Sequence, residues 1–278
     1  MIPRADIAAW RAVAPWSGDP QVEQDLVLSR AIVELFSEPA ISQALAFRGG
    51  TALHKVIFSP PGRYSEDIDL VQIQSGPIGP ALNAVRGVLD SWLGAPSWKL
   101  GHGRATLNYR FDTTSSPTQR MRLKLEINTR EQFTLLGHQQ RLMSVDNPWF
   151  SGNVNVTTYE IEELLGTKLR ALYQRKKGRD LYDLWMALAG HDIDDEKLIR
   201  CFSEYMGHGG HSVSRAQFEA NLAGKLDMVA FGNDIAPLLA PGSVFDSPEA
   251  AKLVHQRLVS KLPGEKWKGC PEWMLPRK

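Results

Sequence analysis

Phe47-Arg48-Gly49-Gly50-Thr51-Ala52-Leu53, followed after a short apolar stretch by Arg63-Tyr64-Ser65-Glu66-Asp67-Ile68-Asp69-Leu70-Val71, is the segment on which the reading of the chain turns. A short buried strand from Leu45 to Arg48 runs into a paired glycine that opens a helix. Two glycines let backbone amides approach a phosphate closely, and a helix N-terminus adds unpaired N–H groups and a favourable dipole. Asp67 and Asp69 stand two apart at the head of a second strand, so their carboxylates project from one face. At about 4 Å two such charges repel by roughly 4 kcal/mol at an effective dielectric of about 20. A hard divalent cation is the usual reason for that arrangement: Mg²⁺ is held by one or two carboxylates together with substrate phosphates. Phosphate turn and metal face together point to an enzyme acting on a nucleoside triphosphate.

The bulk numbers bound this reading. The chain has 278 residues, enough for one large or two modest domains with a real core. Hydrophobic residues make up 43% and charged residues 23%, and the formal net charge is +1, so any basic surface must be local. Cys201 and Cys270 are far apart and lack zinc or redox spacing, which reads as a reducing cytoplasm. The first ten residues carry charges and no apolar run, unlike a signal peptide. No stretch of about 18 apolar residues occurs, so a spanning helix is not expected.

Val22, Leu26, Ile32, Leu35 and Phe36 give residues 20–37 an apolar helical face closed by Pro39. Thr51 to Phe58 reads as helix until Ser59-Pro60-Pro61-Gly62 breaks it, Ile68 to Ile73 as strand, and 79–93 as helix. Then the period changes to two: Trp98 to Leu100, Thr106 to Phe111 and Met121 to Asn128 alternate like antiparallel strands, and 153–157 adds an edge strand. From Glu160 the chain reads as helix over 159–177, 179–189, 194–206, 214–230 and 247–261, ending in an irregular tail with Trp267, Trp273 and Pro276. The outline is α+β: a mixed-sheet core over residues 1–157 and a helical domain over 158–278 that completes the active site.

Two further segments bear on chemistry. Arg120 to Asn128 alternates strictly, so Lys124, Glu126 and Asn128 share a face. If that strand lies beside Ile68–Ile73, Glu126 joins Asp67 and Asp69 as a third carboxylate on a metal platform. Taken alone, the pattern also fits a solvated face in which Lys124 compensates Glu126. Between Gly166 and Asp180, the basic residues Lys168, Arg170, Arg175, Lys176, Lys177 and Arg179 stand against one acid, a local net of +5. An amphipathic helix with a solvated basic face explains such a run; so does a lysine at Lys168 reaching a triphosphate while its neighbours meet a polyanion. His54 either touches a phosphate or covers the helix surface, and Trp267 and Trp273 either stack on a base or dock onto the body.

The succession Gly49-Gly50-Thr51-Ala52-Leu53, Arg63-x-Ser65-x-Asp67-Ile68-Asp69, Lys124-x-Glu126-x-Asn128, Leu164-x-x-x-Lys168-Leu169 and Arg175-x-Lys177-x-Arg179-Asp180-x-x-Asp183-Leu184 resembles the AbiEii/AbiGii family over roughly residues 45–188. These are nucleotidyltransferase-like toxins of type IV toxin–antitoxin systems active in abortive infection, a phage defence. The resemblance implies a polymerase-beta-like nucleotidyltransferase core with a helical C-terminal domain. It implies Mg²⁺-dependent transfer of a nucleotide from a triphosphate to an acceptor, tRNA in related toxins, whose extended 3′ end blocks translation. It also implies an antitoxin partner, commonly with a winged-helix DNA-binding domain. Carried over by position, Gly49, Gly50 and Thr51 grip phosphate, Ser65 lies beside the metal ligands Asp67 and Asp69, and Lys168 and Asp180 match the remaining catalytic positions. Glu126 is the weaker third ligand. A protein or small-molecule acceptor of aminoglycoside type, and a catalytically idle domain that binds nucleotide or partner, are the competing readings.

Overall fold

The computed structural model describes residues 2–269 and 271; Cys270, Trp273 and Pro276 lie outside them. The chain divides into two compact units, residues 1–160 with 238–241, and residues 161–237 with 242–278.

The first unit opens with helices α1 (Arg4–Trp10), α2 (Asp19–Ser37) and α3 (Pro39–Ser42), then strand β1 (Leu45–Arg48). A short helix α4 (Gly49–Ala52) continues into a wider π-type turn over Leu53–Ile57. Strand β2 (Asp67–Gln72), helix α5 (Gly79–Leu93) and strands β3 (Ser97–Gly101), β4 (Arg104–Asp112), β5 (Arg120–Asn128), β6 (His138–Asn147) and β7 (Phe150–Tyr159) follow. The strands form one mixed sheet of seven, in the order β3-β4-β5-β2-β1-β7-β6. Antiparallel β1 and parallel β5 flank β2, which therefore sits at the centre.

The pleat explains the two faces. Ile68 and Leu70 on β2, Leu123, Leu125 and Ile127 on β5, and Ala105, Leu107 and Tyr109 on β4 are buried and join α2 and α5 in one core. Fully burying a Leu, Ile or Phe there stabilises by about 1.5–3 kcal/mol each. Asp67, Asp69, Lys124 and Glu126 alternate with these residues and take the other face. Helix α1, absent from the sequence reading, is pinned by a buried carboxylate: Asp25 of α2 accepts from the indoles of Trp10 (2.8 Å) and Trp16 (2.9 Å) and from the Lys55 ammonium (2.6 Å).

The strand expected over 153–157 is not an edge. As β7 it pairs in parallel with β1 through Phe47 and Thr158 and antiparallel with β6, which forms the edge. Residues 238–241 belong with this unit through Tyr64, whose N–H donates to the Leu238 carbonyl at 2.7 Å, and an Arg63–Leu239 bridge.

The second unit is helical: α6 (Ile161–Gln174), α7 (Gly178–Gly190), α8 (Asp195–His208), α9 (Arg215–Leu226), α10 (Val229–Asn233) and α11 (Ser247–Arg257). Gly166 lets α6 and α8 approach closely, since a Cβ there would lie 2.7 Å from the Cys201 Cβ. The Trp267 backbone N–H donates to Glu219 of α9 at 2.7 Å, so this tail residue docks onto the helices.

Candidate functional site

The paired glycine and the Asp-x-Asp meet on adjacent strands. Register sets Asp69 opposite Arg48 on β1 and opposite Glu126 on β5, while Asp67 faces Lys124. Gly49 has φ +82°, a left-handed conformation that L side chains avoid, and a Cβ there would come within 2.5 Å of Asp69 Oδ2. Glycine is therefore required at this position both by its backbone and by the carboxylate beside it.

Thr51 ties the two halves together. Its hydroxyl donates to the Asp67 carbonyl and is hydrogen-bonded to the Ser65 hydroxyl. Thr51 and Ser65 are buried, so the glycine turn and the strand carrying the aspartates are held at a fixed offset. His54 is buried as well: its Nδ1 accepts from the Gly62 N–H at 3.1 Å, and its ring meets Phe58 edge-on at 5.1 Å. It anchors the loop that carries Pro60 and Pro61.

The electrostatics of the pair are unbalanced. Burial pushes the Asp69 carboxyl above the usual range, and the neighbouring Asp67 charge adds to this against the pull of Arg48 and Lys124. Arg48 is itself engaged by Glu131 at 2.6 Å. Lys124 lies 3.8 Å from Asp67 and 3.0 Å from Glu126, and Arg104 lies 3.2 Å from Glu126. Burial opposes the Glu126 charge, but Lys124 and Arg104 outweigh it and hold its carboxyl below the usual range. Asp67, Asp69 and Glu126 are not gathered into a single cluster. Among the described residues no group of three or more His, Cys, Asp or Glu side chains is placed to hold a metal ion. The donor chemistry of Asp67 and Asp69 nevertheless suits a hard divalent cation: two carboxylate oxygen donors on one face, one of them disfavoured as an anion until a positive charge arrives.

In the helical unit, Lys168 is not on a solvated face. It is buried with its ammonium 3.2 Å from Asp180 and 2.8 Å from Asp183, both fully enclosed on α7. Arg175 adds two short contacts to Asp180, at 2.6 and 2.7 Å. Burial works against the Asp180 anion, yet Lys168 and Arg175 prevail and hold its carboxyl below the usual range. Sequence reasoning missed Asp183 as a partner; the signal was Asp180-x-x-Asp183, two acids on one helical face. The rest of the basic run is largely spent within the unit. Arg170 lies over the Tyr205 ring at 5.1 Å, and Lys177 pairs with Asp234 at 3.2 Å.

The profile described as "Nucleotidyl transferase AbiEii toxin, Type IV TA system" matches residues 30–253. Among solved structures, the nucleotidyltransferase toxin MenT4 of Mycobacterium tuberculosis is similar over 95% of this chain and 91% of its own, with 18% identity and a TM-score of 0.66. JHP933 of Helicobacter pylori is similar over 85% of this chain and 89% of its own, also with 18% identity, and a TM-score of 0.52. At such identities the likeness is one of fold, and it bears out the α+β nucleotidyltransferase architecture. No curated protein matches the chain.

Proposed function

The chain belongs to the AbiEii family of nucleotidyltransferase toxins from type IV toxin–antitoxin systems, and from that premise we propose that it transfers a nucleoside monophosphate from a nucleoside triphosphate to an RNA acceptor, the tRNA 3′ end, and so blocks translation. The observation that carries the reading is Gly49 against Asp69: a position closed to any side chain, opening beside a buried carboxylate that Arg48 and Lys124 compensate only in part.

The geometry supports a role for each residue in this proposal. Gly49 and Gly50 leave the backbone accessible to phosphate oxygens. Thr51 and Ser65 fix the turn relative to Asp67, and Asp67 and Asp69 are the residues that would hold Mg²⁺. When bound, the ion stabilises the charge that develops on the transferred phosphoryl group. Lys124 balances Asp67 and Glu126, which leaves Glu126 as an outer partner of the site. Lys168 and Asp180, the family's remaining catalytic positions, form with Asp183 a buried ion cluster that fixes α6 against α7. A cognate antitoxin with a winged-helix domain and action in the cytoplasm, in phage defence, complete the proposal. No helix among the described residues is long and apolar enough to cross a membrane.

Incubation with Mg²⁺, each labelled triphosphate and total tRNA tests this. Label passes to RNA with the parent and not with Asp67→Ala. Label on protein or on an aminoglycoside in place of RNA would assign a different acceptor, and no transfer by the parent would refute the enzyme reading.

A further inference from the structure

The face of the sheet that carries Asp67 and Asp69 does not stop at β5. Register carries it across two more strands: Lys124 faces Asn108, which faces Ser97, and Glu126 faces Thr106, which faces Lys99. Toward the other end of β5, Arg122 lies opposite Arg110 and Arg120 opposite Asp112. The other face of these strands is closed by Leu107, Tyr109, Leu123 and Leu125, so the pleat fixes every one of these polar residues outward.

Most charge here is matched: Arg104 and Lys124 with Glu126, and Arg120 with Asp112 at 3.1 Å. Arg110 and Arg122 are not. Both are exposed, and among the described residues neither guanidinium has an acid or a hydrogen-bond acceptor as partner. Like charges directly opposite on neighbouring strands destabilise a sheet, so an anion between the two guanidinium groups relieves the pair. Arg122 is two residues along β5 from Lys124, about 7 Å, and Lys124 lies 3.8 Å from Asp67. By contrast, the basic run at 168–179 is mostly paired internally.

We propose that this face of β3, β4 and β5 is the docking track for the RNA acceptor's phosphate backbone, with Arg110 and Arg122 as its principal contacts beside the transfer site. The proposal rests on the RNA-acceptor reading above. No aromatic side chain takes part, since the exposed Trp98 lies opposite Leu107 on the other face. The track therefore grips backbone without reading bases, and its binding is tolerant of sequence.

The test is fluorescence anisotropy with labelled total tRNA over a range of salt, comparing the parent, Arg110→Ala/Arg122→Ala, Arg110→Lys/Arg122→Lys, and a charge-matched Lys197→Ala/Lys252→Ala control. Each lost phosphate contact lowers the slope of log K against log salt by about 0.7–0.9, so the double alanine variant binds more weakly with a slope shallower by roughly 1.5. The lysine variant and the control keep the parent's slope. The alanine variant melts no lower than the parent, because it removes a repulsion. If the parent transfers label to tRNA but the alanine variant keeps its affinity and slope, the track is refuted and the acceptor reading stands. If the parent neither binds nor labels RNA, the acceptor reading fails and the track with it.

Discussion

Asp69→Asn separates the cost of the carboxylate pair from its use. Two residues of strand β2 set the Asp67 and Asp69 charges about 6.8 Å apart. At an effective dielectric of about 20 their repulsion is roughly 2.4 kcal/mol. Arg48 and Lys124 offset part of it, leaving a net penalty on the order of 1 kcal/mol in the absence of metal. Removing the Asp69 charge while keeping its shape therefore raises the melting temperature of the metal-free protein by about 2–4 °C. The folded Asp69 pKa lies above its ordinary value of 3.8, so its contribution to stability is complete below that value and is lost as pH rises through the raised one. The variant lacks this loss; its advantage is greatest at neutral pH and shrinks on acidification. Mg²⁺ at ten times its dissociation constant should stabilise the parent by about 1.4 kcal/mol and leave the variant unmoved. The assay is a set of thermal melts of both proteins with and without Mg²⁺ over a pH series. A metal-free variant that melts several degrees below the parent would rule out repulsion at the pair, and one that keeps the full Mg²⁺ response would rule out Asp69 as a ligand.

Other perturbations address the remaining parts. Gly49→Ala meets a left-handed backbone and the Asp69 carboxylate, so it should cost at least about 1–2 kcal/mol in urea denaturation and abolish the Mg²⁺ response. Lys168→Met leaves Asp183 buried without its ammonium and should cost about 3–5 kcal/mol, part of which Asp183→Asn restores in the double variant; an unchanged urea midpoint would contradict the ion cluster. Lys225, buried with its ammonium on the Leu172 and Tyr173 carbonyls, has its pKa lowered to about 8. Its contribution to stability is present above the unfolded value of 10.5 and lost as pH falls through about 8, so denaturation should show the parent gaining on Lys225→Met as pH rises between these limits.

The strands around the site were legible because their periodicity is strong. Ile68, Leu70, Leu123, Leu125 and Ile127 alternate with polar residues, and one face had to be buried. Strand β6 was not, and β7 was legible only over 153–157. Strand β6 begins His138-Gln139-Gln140-Arg141 and buries only Met143, Val145 and Asn147, and β7 exposes Ser151, Asn153 and Asn155 before its buried end at Val156–Tyr159. Such strands have little apolar signal because they lie toward an edge. At the site, Gly49 and the Asp-x-Asp could be read locally, since each is defined by backbone freedom or a spacing of two. Their partners could not: the register that sets Arg48 and Glu126 on either side of Asp69 is fixed by strand pairing across 21 and 57 residues of chain (69 − 48 and 126 − 69). Helical periodicity placed Lys168 on a basic stripe, whereas packing against α7 turned it into a buried ion with two acids.

The most direct test of the central claim is the intact mass of a single purified tRNA after incubation with the protein, Mg²⁺ and each nucleoside triphosphate, followed by the mass of its 3′-terminal fragment. The parent is expected to add one or more nucleoside monophosphates, confined to the 3′-terminal fragment, and Asp67→Ala and Asp69→Asn to add none. An unchanged tRNA mass with every triphosphate, or equal addition by the aspartate variants, would contradict the claim.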